Sequence, residues 1–189
     1  MFSWRFLPNL LTVTRIIGVV PLVWFMVAGF YGWAFLFAVL SGLSDVLDGY
    51  LARRYQWQSH FGGWADPLAD KLMLSASYIT LAYLAVLPIW LSALVIGKDV
   101  IIIVGASIYR YLFGRFHAKP SVLSKITTLS QLVLIWLELS LLIGVSMPAW
   151  LEYGALVGVA ILTLATLCQY VWVWGRRAWQ RSHQSEVAP

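Results

Sequence analysis

Charge is what this sequence has least of. Asp, Glu, Lys and Arg together make up 11% of its 189 residues, against about 25% in an ordinary soluble domain. That leaves too little polar side chain to cover a globule in water. Cysteine is nearly absent as well: Cys168 stands alone in an apolar run, which excludes an internal disulfide and points to helix packing. The three histidines, His60, His117 and His183, are too scattered to suggest a zinc site. No internal repeat, low-complexity tract or linker marks a second domain, so residues 1–189 are expected to form one unit. The net charge of +5 is broken up among apolar runs rather than gathered into a stripe, and no nucleic-acid partner is expected.

What the chain has in abundance is apolar and aromatic residues. Hydrophobic residues make up 61%, with 11 Trp, 9 Tyr and 9 Phe, and mean hydropathy is +0.80. A bilayer is the expected solvent, with rings at its interfaces. Apolar runs at about residues 10–29, 31–49, 66–86, 91–112, 122–143 and 152–174 are each close to the roughly 20 residues a helix needs to cross the hydrocarbon. The expected fold is therefore all-α and polytopic, with six transmembrane helices. No small-residue cleavage signal follows the first run, which is expected to be retained as a spanning helix. Lys and Arg fall at the termini and in the second and fourth connections, and the other three connections carry none. With six spans, the positive-inside tendency puts both termini in the cytoplasm. Residues 2–8, where Phe2, Trp4, Phe6 and Leu7 surround Arg5, fit a short interfacial segment as well as a frayed terminus.

Against that background, four of the eight acidic residues fall between positions 45 and 70. Asp45 and Asp48 are three apart and Asp66 and Asp70 four apart, so each pair shares a helix face. Carboxylates at membrane depth are costly, and four that converge repel one another unless cations neutralise them. Oxygen-only ligands suit Mg²⁺ or Mn²⁺, and two such ions would polarise a phosphoryl group and neutralise a departing phosphate. The same cluster also fits a cation pathway, although a transport route would place its polar groups nearer mid-membrane. Asp66 before Pro67 reads as a helix cap with proline at the first helical position. A hairpin through residues 50–65 would bring the two acidic faces together. Spacing leaves open which of Asp66 and Asp70 bridges metal and which accepts a proton.

The segment DVLDGYLAR, eight residues, then GGWADPLAD resembles the signature of the CDP-alcohol phosphatidyltransferases, DxxDGxxAR(8x)GxxxDxxxD, with every fixed position filled. PNLLTVTR at residues 8–15 is similar to the opening of the first helix in glycerol-accepting members, and the likeness runs from Pro8 to about Arg177. It implies a dimeric membrane enzyme that uses CDP-diacylglycerol and Mg²⁺ or Mn²⁺, its active site facing the cytoplasm, as in a bacterial inner membrane. By this resemblance Asp45, Asp48, Asp66 and Asp70 surround two ions, and Asp70 is also the base. Gly49, Ala52 and Arg53 hold the cytidine diphosphate, with Asn9 and Thr12 at the nucleotide end. An acceptor hydroxyl attacks the phosphorus that carries diacylglycerol, and CMP departs.

The acceptor rests on the fourth and fifth runs. KPSVLSKITTLSQL resembles the eukaryotic-type cardiolipin synthases, whose pattern has RD in the fourth helix, where this chain has Lys98 and Asp99. That resemblance implies phosphatidylglycerol as acceptor and cardiolipin as product. The phosphatidylglycerophosphate synthases, which accept glycerol-3-phosphate, are the second likeness. Arg110 and Lys125 are the candidate contacts for a phosphate on the acceptor. Lys98 and Asp99 read as a compensating buried pair.

Overall fold

A computed structural model describes residues 7–55, 62–113 and 121–185, with side chains described for 14–44 apart from Arg15, and for 70–108, 121–173 and 175–176. Among the described residues the chain is entirely helical between its turns. The helices are α1 (Leu7–Val27), α2 (Tyr31–Tyr55), α3 (Gly62–Tyr83), α4 (Ile89–Phe113), α5 (Val122–Leu142) and α6 (Ala149–Ser185).

The apolar runs become helices because little interrupts them, and the breaks fall where the backbone must reverse. α1 ends at Gly29 with φ of 79°, and α5 ends at Gly144 with φ of 92°. Both are left-handed positions that glycine adopts without strain. The same closing turn after α3 uses Ala85 at φ 57°, held by Val86 N–H donating to the Leu81 carbonyl at 2.9 Å. α5 opens on Ser121, whose hydroxyl accepts from the Ser124 N–H at 3.1 Å and donates to Gln169 Oε1 of α6 at 2.8 Å. This cap satisfies one of the orphan donors of the first turn.

Packing closes the helices into a ring. α1 touches α2, α2 touches α5, α5 touches α6, α6 touches α4, α4 touches α3, and α3 returns to α1, while α3 and α5 also meet across the middle. Leu22 and Met26 of α1, Ala34 and Ala38 of α2, Tyr78 and Leu81 of α3, and Leu134 and Leu139 of α5 are fully buried. Small residues on α2 let it approach closely. A methyl group at Gly42 would lie 2.7 Å from Cζ2 of Trp136 on α5, so that glycine is required for the contact. Gly32, by contrast, has nothing within 4 Å.

The six-span expectation is corrected. Among the described residues three stretches are long and apolar enough to cross a membrane: Ile89–Ile108, Val122–Leu142 and Ala149–Val173. α1 and α2 hold only the shorter apolar stretches Ile16–Val27 and Tyr31–Ser44. The physical reason is that polar residues occupy one end of each remaining helix. These are Asn9, Thr12, Thr14 and Arg15 on α1, Asp45, Asp48, Arg53 and Arg54 on α2, and Asp66, Asp70 and Lys71 on α3. With three such spans among the described residues, the even count that put both termini in the cytoplasm no longer applies. The three spans are only 28%, 33% and 17% buried inside the structure. Their outward faces carry exposed apolar side chains such as Ile161 and Val122. An apolar surface of that extent defines an integral membrane protein.

Helix ends also depart from expectation. α3 begins at Gly62, so Asp66 lies inside the helix, one turn before Asp70, rather than capping it. α2 continues to Tyr55 and α6 to Ser185, which carries the polar stretch Ser182–Ser185 as helix. The interfacial reading of residues 2–8 falls almost wholly outside the described residues.

Candidate functional site

The first half of the acidic pattern, with Gly49, Ala52 and Arg53, lies on one continuous helix, α2. Asp66 and Asp70 lie on α3. The hairpin that would bring the two acidic faces together runs through residues outside the described side chains, and among the described residues α1 and α5 each touch both α2 and α3. The side chains of Asp45, Asp48, Asp66, Gly49, Ala52, Arg53, Asn9, Thr12 and Arg110 lie outside the described residues.

The Asp70 side chain is described. A cavity of about 370 Å³ lies between α2, α3 and α5, with Asp70 and Lys125 in its wall. Four hydroxyls, Ser41, Ser77, Ser124 and Thr128, join them. Ala38, Met73, Leu74, Leu129, Leu132 and Ile135 make the rest of the lining apolar. A carboxylate and an ammonium in a pocket otherwise built of alkyl groups and hydroxyls suit a substrate that is charged at one end and greasy along its length. Lys125 is there because the Ser121 cap fixes where α5 starts. It is exposed, as a residue that meets a mobile charged group must be.

Behind the cavity lies a second set of polar side chains. Lys98 and Asp99 are buried, at 3% and 9% exposure, and pair at 3.4 Å, so the expected compensating pair is present. Lys71 of α3 joins the same carboxylate oxygen at 3.3 Å. Lys98 also donates to Gln131 Oε1 at 3.5 Å, Gln131 Nε2 donates to Thr163 Oγ1 at 3.1 Å, and the Tyr78 hydroxyl donates to the Gln131 carbonyl at 3.2 Å. One turn away, the hydroxyls of Thr127 and Thr166 lie 2.7 Å apart. Sequence reasoning missed Lys71 and the cavity serines. The one available signal was a lysine directly after Asp70 in a helix that otherwise turns apolar.

Among the described residues no group of three His, Cys, Asp or Glu side chains converges to hold a metal. Asp70 nonetheless contributes a carboxylate to the cavity wall, and a carboxylate offers oxygen alone. That donor chemistry fits Mg²⁺ or Mn²⁺ and does not fit zinc.

Residues 5–171 match the family model for the CDP-alcohol phosphatidyltransferases. The chain belongs to that family, and with it to a class of enzymes. A Drosophila melanogaster protein named probable cardiolipin synthase (CMP-forming) is 32% identical over 185 residues, covering 87% of this chain and 56% of that protein. A Rattus norvegicus cardiolipin synthase (CMP-forming) is 34% identical over 146 residues, 68% of this chain and 48% of that protein. A CDP-diacylglycerol–glycerol-3-phosphate 3-phosphatidyltransferase of Pseudomonas fluorescens is 27% identical over 186 residues, 92% of this chain and 90% of that protein. The chain spans about half the length of the first two.

Proposed function

We propose that this chain transfers a phosphatidyl group from CDP-diacylglycerol to a hydroxyl of phosphatidylglycerol, forming cardiolipin and releasing CMP. The observation that carries the proposal is the cavity in which Asp70 and Lys125 share a wall with apolar side chains. Asp70 accepts the proton of the acceptor hydroxyl, the freed oxygen bonds to the phosphorus that bears diacylglycerol, and the bond from that phosphorus to the CMP oxygen breaks. The proton stays on the Asp70 carboxyl until water or a departing group removes it. Lys125 and Arg110 attract the phosphate of the acceptor, and Arg53 with Gly49 and Ala52 takes the diphosphate of the donor. Asn9 and Thr12 take its nucleotide end. When bound, Mg²⁺ or Mn²⁺ held by Asp45, Asp48, Asp66 and Asp70 supplies charge neutralisation at the diphosphate.

The apolar lining favours an acceptor that brings acyl chains. The second reading, transfer to glycerol-3-phosphate to give phosphatidylglycerophosphate, is favoured by the Pseudomonas fluorescens relative, which this chain matches over almost its whole length. Basic residues, Arg53 and Arg54 among them, gather at the ends of α2 and α3 that carry the aspartates. By the positive-inside tendency the site faces the cytoplasm, as in a bacterial inner membrane. A homodimer completes the proposal. The test is CMP release from CDP-diacylglycerol by purified protein with phosphatidylglycerol and glycerol-3-phosphate offered separately. Release with the lipid acceptor supports the first reading, and release with glycerol-3-phosphate alone supports the second.

A further inference from the structure

A concentration of charge lies away from the cavity, where α3 meets α4. Asp99 Oδ1 receives two ammonium groups, Lys71 Nζ at 3.3 Å and Lys98 Nζ at 3.4 Å. The two lysines are not equivalent. Lys98 is 3% exposed and is tied through Gln131 of α5 to Thr163 of α6. The Lys71 side chain is 33% exposed and comes from the helix that carries the site. Asp99 is thus braced from behind by three helices and reaches toward the fourth with the same oxygen. A buried carboxylate with such partners is costly to move.

Lys71 directly follows Asp70. On a helix of 3.6 residues per turn, successive side chains point about 100° apart. Asp70 therefore faces the cavity while Lys71 reaches α4. Tying Lys71 to a fixed carboxylate fixes the rotation of this turn of α3 about its own axis, and so the direction of its neighbour. Further along α3, the Tyr78 hydroxyl donates to the Gln131 carbonyl and Ser92 Oγ donates to the Tyr78 carbonyl at 3.0 Å. Gln131 therefore serves both ties, through its side-chain amide at one level and its backbone carbonyl at the other.

We propose that Asp99 is a positioning residue: held by Lys98, it holds Lys71 and thereby sets the direction in which Asp70 presents its carboxylate to the cavity. It touches no substrate. The proposal rests on the transfer reaction inferred above for its kinetic readout, and on labelling for a readout that does not need that reaction.

The kinetic experiment compares CMP release from CDP-diacylglycerol by the purified full chain with its Asp99→Asn, Lys71→Met, double and Asp99→Glu variants. Misplacing a reacting group costs roughly tenfold to a hundredfold in rate, and that fall in kcat is expected for both single variants. KM for the donor should rise by less than kcat falls, because Arg53, Gly49 and Ala52 still take the donor's diphosphate. Since both substitutions break one tie, the double variant should lose no more than the weaker single. Asp99→Glu should recover part of kcat. A kcat within about twofold of the parent in folded Lys71→Met, or losses that multiply in the double variant, would overturn the proposal. Should Asp99→Asn fail to fold because it leaves Lys98 without an anion, Lys71→Met alone decides.

The second arm replaces Cys168 by Ser and Asp70 by Cys, and measures the rate of modification by an uncharged thiol reagent, corrected for the thiolate fraction from its pH profile, with and without Lys71→Met. A changed rate supports the proposal, and an equal rate overturns it, whether or not the parent chain turns over. A parent that releases no CMP with any acceptor defeats the transfer reading and leaves the labelling result standing.

Discussion

Gly42 of α2 and Trp136 of α5 meet so closely that the glycine's hydrogen is the only substituent the site admits: a methyl group there would stand 2.7 Å from ring carbon Cζ2 and 3.3 Å from Leu132 Cδ2. Asp45 stands three residues further along α2. The contact therefore sets how near the acidic end of α2 comes to the start of α5. Gly42→Ala is predicted to lower stability by about 1–3 kcal/mol, as overpacking does, and to lower activity with it. Gly32→Ala, with open space around it, should change stability by less than about 0.5 kcal/mol. Thermal unfolding of both variants in the same detergent makes the comparison.

Asp70→Asn keeps the shape of the side chain and removes its ability to take a proton or bind a cation strongly. Turnover should fall by at least roughly a hundredfold, the usual contribution of a positioned acid or base, while the melting temperature and elution volume stay those of the parent. Asp66→Asn should behave in the same direction. Full CMP release by folded Asp70→Asn protein would remove Asp70 from the mechanism.

Stripping divalent ions with a chelator is predicted to abolish CMP release and leave the helical circular dichroism unchanged, because the core is built of apolar contacts such as Leu22, Tyr78 and Leu134. Mg²⁺ or Mn²⁺ should restore activity. Zn²⁺ should not, since carboxylate oxygens alone give it none of the nitrogen or sulfur it favours.

Gln131→Leu preserves volume and removes the amide that joins Lys98 to Thr163. It leaves a buried ammonium short of an acceptor and a buried hydroxyl short of a donor, a loss of about 1–3 kcal/mol. Urea or thermal unfolding should show it. Thr128→Val, on the exposed side of the same helix, is predicted to leave stability nearly unchanged.

Much of this was legible in the residues, and the parts that were not have physical reasons. The spacing of Asp45, Asp48, Asp66 and Asp70 was readable because helical periodicity is local, and the Lys98–Asp99 pair was readable because two adjacent charges in an apolar run need each other. The number of spans was not. Apolar runs were counted by length, but the polar ends of α1, α2 and α3 shorten their apolar stretches, and only Ile89–Ile108, Val122–Leu142 and Ala149–Val173 remain long enough. The tie from Lys71 to Asp99 joins residues 28 positions apart across two helices, and no local pattern announces it. The order of the ring, in which α1 and α5 each touch both α2 and α3, is equally nonlocal.

The most direct test of the account is the product formed by the purified chain in liposomes that contain Mg²⁺, CDP-diacylglycerol and isotopically labelled phosphatidylglycerol, read by mass spectrometry together with CMP. Labelled cardiolipin and CMP are expected in equal amounts, with both lost in Asp70→Asn. Unlabelled lipid product and no CMP, with rapid CMP release when glycerol-3-phosphate is supplied instead, would contradict it.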